Sequence, residues 1–292
     1  MNTPIISYLP GMSGDFLAWH IHQDSKFFPL DQINITTTNR FIFPNMLEVL
    51  GGDAKMHPTE KMWPVKPEDV EILRNSYNNK NICFPTHWHN KLDYCLTPGF
   101  LTMGIRLYCQ SRSILKLCYF MWWIKSHVDA NDPWDNRIVE IKKMIRSGGS
   151  NSVEANKLPN SFHNWKFLAL KNNLLSDGKL CFTTYVKDYF EKVYSRYNTK
   201  SFYSGYTNFS VDNVIYTGTE LQSLADHMNV EINKDSVAEY AERNLNLIES
   251  ELGLRFDSID YNNDEVFFNK LTYYLKDKIQ ERPIYDYNYR KR

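Results

Sequence analysis

The chain has 292 residues, of which 42% are hydrophobic and 15% aromatic, so it can form a packed globular core. Its 34 Lys and Arg residues balance its 34 Asp and Glu residues. A net charge of zero disfavours an ordinary basic nucleic-acid binder and a protein attracted to anionic membranes by its overall field. We therefore expect any recognition of charge to be local.

No segment has the pattern of a membrane anchor or of a secretion signal. The longest apolar run, residues 115–124, is too short to cross a bilayer and lies too close to Lys116 and Lys125. The N-terminus lacks a basic region and a small-residue cleavage pattern. An odd number of cysteines is scattered among apolar residues, as expected for reduced thiols: Cys83, Cys95, Cys109, Cys118 and Cys181. We expect a cytoplasmic protein, or one of the host cytoplasm if the chain is viral.

The first two predicted elements enclose a loop with two glycines. Ile5–Leu9 predicts a strand, Asp15–Ile21 predicts a helix, and Pro10–Gly14 joins them. The glycines let the backbone turn sharply and present several N–H groups in one direction, at the positive end of the helix dipole. The pattern indicates a phosphate or sulfate site, although an ordinary strand-to-helix connection would have the same pattern. The loop lacks the Gly-Lys-Ser/Thr ending of a Walker A motif.

Strands and helices then alternate along the chain. A helix is predicted from Pro67 to Arg74, and a strand at Ile82–Phe84 leads into His87. A second buried strand, Ile105–Gln110, leads into a helix from Arg112 to Lys125. Because helices separate successive strands, we expect an α/β fold with a central parallel sheet flanked by helices.

The part of the chain after this helix continues the alternation. We predict a helix at Trp134–Arg146, a mobile loop near residues 147–160, a strand at Leu180–Thr184 and a helix at Val186–Tyr197. A Tyr- and Gly-rich loop should follow from Thr199 to Gly218.

The C-terminal part, residues 219–280, is predicted to be helical. Thr217–Glu220 has the pattern of a capping box and should open a helix at Leu221–Met228. Two further helices are predicted at Ser236–Leu252 and Asp264–Ile279. We interpret residues 1–292 as a single α/β domain.

Three polar segments follow the carboxyl ends of predicted strands, where open parallel sheets collect their ligands. The loop Pro10–Gly14 offers backbone donors, His87 offers an imidazole that can take a proton near neutral pH, and Arg112 offers a guanidinium that can pair with a phosphate through two hydrogen bonds. A single His or Arg is more often structural. Together at consecutive strand ends, they predict a site.

With these residues in this order, the chain resembles the sulfotransferase family, whose members transfer a sulfuryl group from 3′-phosphoadenosine 5′-phosphosulfate to an acceptor hydroxyl or amine. Pro10–Leu17 is similar to the family's 5′-phosphosulfate loop, and Ser13-Gly14 match its Ser-Gly pair. Thr86-His87 resemble the Thr-His that includes the catalytic base of the cytosolic branch, and Arg112 resembles the arginine that binds the 3′-phosphate. Later segments, residues 182–188 and 221–230, are similar in the same order, so the resemblance spans most of the chain.

The resemblance implies a three-layer, P-loop-like sulfotransferase architecture with 3′-phosphoadenosine 5′-phosphosulfate as cofactor and an unidentified acceptor as partner. His87 would be the catalytic base. The residues implied in cofactor binding lie in the loop and on the helix after the second buried strand: Gly11, Met12, Ser13, Gly14, Asp15, Arg112 and Lys116.

The chain departs from the family pattern at its charged positions. Met12 and Pro85 stand where the family carries lysines, and Asp15 and Phe16 replace two threonines. The lysines would stabilise charge that builds up during transfer, and a carboxylate beside an anion repels it unless it is turned away, caps the helix or binds a cation. Lys116, one helical turn beyond Arg112, is the candidate replacement. The fold can therefore persist without the activity.

Two other classes of function stay open. Cys83, His87, His89 and Cys95 are of types that bind zinc, but their spacing fits no standard zinc module, and we predict no metal ligands. The other class is an eroded, non-catalytic scaffold for binding or assembly, for example in a virion. Such a scaffold could form a homo-oligomer whose interface is covered by tyrosines that crowd one region, although the same tyrosines could equally be core or half-buried residues: Tyr185, Tyr189, Tyr194, Tyr197, Tyr203 and Tyr206.

Overall fold

The computed structural model describes residues 4–28, 75, 80–81, 83–86, 104–128, 142, 182–198 and 206–281. His87, the helix predicted at Pro67–Arg74 and the loop predicted near 147–160 lie outside these ranges. The chain divides into two compact units, residues 1–114 with 199–242 and residues 115–198 with 243–292.

The first unit contains a parallel sheet of four short strands in the order β2-β1-β3-β4. All its neighbouring strands run parallel, and Ser7, the last residue of β1, pairs with Thr86 of β2 and Arg106 of β3. The expected α/β fold with a parallel sheet is confirmed. The strands are β1 at Ile5–Ser7, β2 at Phe84–Thr86, β3 at Gly104–Tyr108 and β4 at Tyr206–Ser210.

Helices follow the two central strands and make up most of the rest of the described chain. The predicted helices at Leu221–Met228, Ser236–Leu252 and Asp264–Ile279 are confirmed, the last two with slightly wider bounds. The helices are α1 at Gly14–Ile21, α2 at Arg112–Trp123, α3 at Phe182–Tyr189, α4 at Ser195–Tyr197, α5 at Leu221–Met228, α6 at Lys234–Leu252, α7 at Ile259–Asn262 and α8 at Asp264–Glu281. Among the described residues, π-helical turns occur at Ile124–Val128, Phe190–Tyr194 and Asp212–Tyr216.

The strand predicted at Leu180–Thr184 is wrong, because helix α3 already begins at Phe182. The β-branched pair Thr183-Thr184 suggested a strand, but the buried residues Phe182, Val186 and Phe190 recur at helical spacing. Packing of this face in the second unit overrides the local preference for a strand.

The loop predicted from Thr199 to Gly218 is also wrong in part, because it contains strand β4 and a π-helical turn. The predicted capping box does not form either. Glu220 is itself the residue before α5, and its carboxylate accepts hydrogen bonds from the Ser210 amide at 3.1 Å and the Asn213 side chain at 3.0 Å. The Glu220 side chain therefore binds the end of β4 and the turn after it instead of capping a helix.

The second unit has an aromatic core around Tyr119. Its ring lies within 5.5 Å, centre to centre, of the rings of Trp122, Phe190 and Tyr194, and its hydroxyl donates to the Val186 carbonyl at 2.7 Å. Tyr185 and Tyr194, two of the tyrosines considered for an interface, are 1% and 3% exposed. These two side chains belong to the core of the unit and not to its surface.

Two buried histidines of the first unit lie at the end of α1. The His22 Nδ1 atom lies 2.6 Å from the Phe28 carbonyl oxygen, and its Nε2 accepts from the Cys83 amide at 3.0 Å. His20 packs edge-on against Phe16, at 4.6 Å between ring centres. Burial lowers the pKa of His20 to about 4 and also lowers that of His22. Both imidazoles are therefore neutral at pH 7. The hydrogen bond from the Cys83 amide to His22 joins the end of α1 to the residue before β2.

No helix within the described ranges is both long and apolar enough to cross a bilayer.

The free energy of unfolding should fall on acidification because of His20. In the unfolded chain the His20 imidazole takes up a proton near pH 6.5, whereas in the folded chain it does so only near pH 4. Between these pH values the unfolded state therefore binds more protons than the folded state. Stability should be fully present above about pH 6.5 and decline towards about pH 4. His20→Gln should flatten this decline in urea unfolding measured across a pH series. His227→Gln, on α5, is the matched control, and an equal slope in wild type and His20→Gln would contradict the assignment.

Candidate anion-binding site

The loop between β1 and α1 turns through two residues with left-handed backbones. Gly11 has a φ of 86° and Ser13 a φ of 63°, and the Met12 amide donates to the Leu9 carbonyl at 3.0 Å. A left-handed conformation is uncommon for a serine and is often found at functional sites. The turn places Ser13 directly before the first residue of α1.

The first amides of α1 are not used inside the described part of the chain. The N–H groups of Ser13, Gly14 and Asp15 have no acceptor among the described residues, and the Ser13 side chain does not cap the helix. Amides at a helix start point out of its N-terminal end, where the helix dipole is positive. This combination of donors and field is the one that binds phosphate and sulfate groups.

The Ser13 hydroxyl is held in place by Tyr240 of α6. The Tyr240 hydroxyl donates to Ser13 Oγ at 3.1 Å, and the Tyr240 ring stacks on Phe16 with 3.7 Å between ring centres. Since Ser13 Oγ accepts from the tyrosine, its own proton can be donated elsewhere. The serine therefore adds a side-chain donor to the three amides.

Tyr8 packs on the other side of the loop. Its ring lies so close to Gly14 that a Cβ at that position would overlap the ring carbons. Its hydroxyl donates to the Asp15 carboxylate. Burial, and then the charge of Asp15, raises the pKa of Tyr8 well above its usual value, so the hydroxyl keeps its proton. One oxygen of the Asp15 carboxylate is thus bound to Tyr8, which weakens the repulsion that this residue would exert on an anion in the loop.

A buried arginine that the sequence analysis did not single out lies at the end of β1. Arg106 of β3 donates from Nη1 to the Ser7 hydroxyl at 3.1 Å and is almost fully buried. Burial lowers its pKa to about 10, with the nearby Tyr206 acting in the opposite direction, so it is still a cation at pH 7. Positive charge is therefore present where the chain leaves β1 for the loop.

The corresponding position after β3 is filled by the protein itself. The Asp212 carboxylate accepts from the amides of Gln110 at 2.7 Å and Ser111 at 2.9 Å, and Ser111 Oγ accepts from the Ile114 amide at 3.1 Å. These amides are not available to a ligand. Arg112 is the first residue of α2 and is exposed, so any contact with a 3′-phosphate there must come from its guanidinium.

The predicted site residues fall into three groups. Gly11 to Asp15 form one loop in the first unit, and Arg112 begins α2 in the same unit. Lys116 belongs to the second unit, where its ammonium lies 2.6 Å from Asp264 and donates to the carbonyls of Tyr261 at 3.0 Å and Asn262 at 3.1 Å. Its charge is therefore compensated locally. His87, the predicted base, lies outside the described residues.

Within the described ranges, no group of three or more His, Cys, Asp or Glu side chains is arranged to hold a metal ion. Cys83 is a buried free thiol, and burial raises its pKa. His89 and Cys95 lie outside the described residues.

Comparisons with protein-family models, with curated proteins and with solved structures gave no match. The case for a function of this chain therefore rests on its residues and their geometry.

Gly14→Ala should destabilise the first unit by about 1–3 kcal/mol, because the new methyl group overlaps the Tyr8 ring. The additional change Tyr8→Ala should make the Gly14→Ala cost much smaller, since the overlap is then gone. Urea unfolding of the single and double variants measures this coupling. Gly218→Ala, where no atom lies within 4 Å of the added methyl group, is the control without a Tyr8 contact, and its cost should be the same with and without Tyr8→Ala. Additive effects at positions 8 and 14 would contradict the packing described.

Asp212→Ala should lower the free energy of unfolding by about 1 kcal/mol, because two part-buried amides just before α2 lose their charged acceptor. Asp260→Ala, at an exposed carboxylate, should change it by less than about 0.5 kcal/mol. Hydrogen exchange at Gln110 and Ser111 should accelerate in the first variant alone. Unchanged exchange at both amides would refute the role of Asp212.

Proposed function

We propose that the chain is a sulfotransferase-like protein that binds the 5′-phosphosulfate of 3′-phosphoadenosine 5′-phosphosulfate at the Pro10–Asp15 loop and transfers its sulfuryl group to an acceptor. The observation that carries the proposal is the set of amides at Ser13, Gly14 and Asp15 that have no acceptor in the described part of the chain, at the start of a helix and beside an oriented serine hydroxyl. The loop also follows the first strand of a parallel sheet, as the resemblance implies. The three-layer architecture is part of the proposal.

The residues of the loop would hold the negative end of the cofactor. The three amides and the Ser13 hydroxyl bind anionic oxygens, and Tyr240 keeps the serine oriented for this purpose. Arg112, at the start of α2, binds the 3′-phosphate through its guanidinium. When bound, the cofactor supplies the sulfuryl group that passes to the acceptor oxygen or nitrogen, with the 3′,5′-bisphosphate as leaving group.

His87 would remove the proton of the acceptor. The backbone of β2 supports this role, because Thr86 pairs with Ser7 at the last residue of β1. The chain therefore leaves β2 at the same edge of the sheet at which it leaves β1 for the anion loop. An imidazole with an ordinary pKa near 6.5 suits a general base at neutral pH.

We expect a slow rate of sulfuryl transfer, because Met12 and Pro85 stand where the family carries lysines. A group that stabilises charge in the transition state is typically worth about 3–4 kcal/mol. Arg106 supplies a positive charge against the end of β1, but it donates to Ser7 and is buried in the sheet. We therefore expect cofactor binding with slow transfer.

A second candidate function is binding or assembly without catalysis, as expected of an eroded scaffold. The specific observation in its favour is the ion pair between Lys116 and Asp264, which removes the candidate replacement for the missing lysines. Such a protein would bind the nucleotide without turnover, or would bind no nucleotide and form a homo-oligomer.

Calorimetric titration with adenosine 3′,5′-bisphosphate tests the binding step. The wild-type chain should bind, and Arg112→Ala should bind at least tenfold more weakly, a loss of about 1.4 kcal/mol. Arg255→Ala, at an exposed arginine of the second unit, is the matched control and should bind like wild type. Absence of heat with the wild-type chain, or equal affinity of Arg112→Ala, would refute the cofactor site.

Transfer from the sulfur-35-labelled cofactor to a panel of hydroxyl and amine acceptors separates the two candidate functions. The transferase is supported if the wild-type chain labels an acceptor slowly and the His87→Ala variant still binds the nucleotide but no longer labels that acceptor. Nucleotide binding with no labelling of any acceptor favours the eroded scaffold. Light scattering that shows a stable oligomer, together with no nucleotide binding, favours assembly.

A further inference from the structure

The anion loop has one acidic side chain and no basic one. Residues 8–17 contain Asp15 and neither lysine, arginine nor histidine. The donors that the loop offers to an anion are therefore uncharged. They are the amides of Ser13, Gly14 and Asp15, which have no acceptor in the described part of the chain, and the Ser13 hydroxyl proton. An anion in the loop meets these neutral donors together with one negative charge.

The Asp15 carboxylate lies close to any group that these amides hold. By covalent geometry, a carboxylate oxygen of an aspartate stays within about 5 Å of its own amide nitrogen. Asp15 is the second residue of α1 and is partly exposed, as is Gly11 on the other side of Ser13. The loop therefore reaches the surface at both positions, and a ligand that enters it becomes a neighbour of the carboxylate.

One oxygen of this carboxylate is left to accept a hydrogen bond from a ligand. Oδ1 accepts from the Tyr8 hydroxyl, and Oδ2 has no donor among the described residues. Tyr8 is itself buried and packed against Gly14, so the hydrogen bond orients the Asp15 side chain. An ionised carboxylate accepts hydrogen bonds and cannot donate them. A ligand with a proton donor beside its anionic oxygens therefore fits the loop better than one without.

Sulfate and phosphate differ in this respect. Sulfate is fully ionised at neutral pH, so its oxygens only accept hydrogen bonds. A phosphate monoester has a second pKa near about 6, so part of it still carries a P–OH proton close to neutral pH. That proton can be donated to Asp15 in a charge-assisted hydrogen bond, while the other oxygens accept from the amides and from Ser13. For sulfate, the same carboxylate contributes repulsion without a hydrogen bond.

We propose that Asp15 is a specificity-determining residue of the anion loop, which binds a phosphate group that carries a proton in preference to sulfate or to a phosphate group without a proton. This inference rests on the proposed function in that it concerns the same loop. It means that the loop distinguishes the 5′-phosphate of the free nucleotide, which can carry a proton, from the phosphosulfate of the donor, which cannot.

Titratable groups around the loop keep their charge between about pH 5.5 and pH 8. Burial raises the pKa of Tyr8 and that of Cys83, so both stay protonated. Burial lowers the pKa of His20 to about 4, so its imidazole stays neutral, and lowers that of Arg106 to about 10, so it stays a cation. Tyr240 faces the loop through its hydroxyl. A change in phosphate affinity over this interval is therefore expected from the proton of the ligand.

Methyl phosphate and dimethyl phosphate are the decisive probes. At about pH 5.5 both carry close to one negative charge, but only methyl phosphate has a proton to donate. The readout is the set of ¹H–¹⁵N resonances of the Ser13, Gly14 and Asp15 amides in the full chain. Methyl phosphate should bind at least tenfold more tightly than dimethyl phosphate or sulfate, and its affinity should fall as the pH is raised to about 8. Sulfate binding should not depend on pH.

Inorganic phosphate, titrated beside methyl phosphate, distinguishes a free ion from an ester as the source of the phosphate group. Both carry the proton, so both should bind more tightly than sulfate. A tighter fit of methyl phosphate assigns the loop to phosphate esters, whereas a tighter fit of inorganic phosphate assigns it to the free ion. Inorganic phosphate that binds no better than sulfate would count against the role of the proton.

Asp15→Asn keeps an oxygen that can accept from Tyr8 and removes the negative charge. It should strengthen the binding of sulfate and dimethyl phosphate at least tenfold and remove the preference for methyl phosphate. Asp235→Asn is the matched control, because Asp235 is an exposed acid at the second position of another helix, α6, in the same unit. This control should keep the wild-type preference.

The proposal is overturned if the wild-type chain binds methyl phosphate and sulfate equally, if the preference survives in Asp15→Asn, or if none of the probes shifts the three amides. Calorimetry with adenosine 3′,5′-bisphosphate tests the cofactor site separately, because the affinity there also depends on Arg112. Nucleotide binding without a preference at the loop refutes the role of Asp15 alone. A preference at the loop without nucleotide binding refutes the cofactor site alone.

Discussion

The contact between the Tyr8 ring and Gly14 is the constraint on which the candidate site depends. Because the ring occupies the place of a Cβ, the start of α1 must stay close to the end of β1. The same tyrosine binds the Asp15 carboxylate, which is the charge most harmful to an anion in the loop. One buried residue thus fixes the backbone of the loop and moderates its electrostatics, and Tyr240 completes the arrangement from α6.

The two central strands of the sheet end in different ways. After β1, the amides of Ser13 to Asp15 are unused within the described chain, whereas after β3 the Asp212 carboxylate takes the amides of Gln110 and Ser111. A carboxylate at the second position closes an anion site that the fold would otherwise offer. Recognition of a nucleotide by this protein would therefore be asymmetric, with backbone donors at one end and the Arg112 side chain at the other.

The local parts of this arrangement could be predicted from the sequence, and the distant parts could not. Gly11 and Gly14 lie between an apolar run and an amphipathic segment, which predicts a strand, a turn and a helix. Sequence alone suffices here because the residues that determine these conformations lie within a few positions of one another. Asp212 is 102 residues from Gln110, and Arg106 is 99 residues from Ser7, so no local sequence pattern predicts the hydrogen bond in either pair. The helix that begins at Phe182 does not follow from the local sequence for a related reason: its threonines favour a strand, whereas aromatic packing in the second unit stabilises a helix.

The left-handed backbone of Ser13 has an energetic consequence. Glycine would adopt a φ of 63° without the steric cost that a serine has there, so exchanging serine for glycine would relieve strain in the backbone. That exchange would remove the one side-chain hydroxyl that Tyr240 orients at the start of α1. A serine at this position therefore combines local backbone strain with an oriented hydroxyl that can donate its proton.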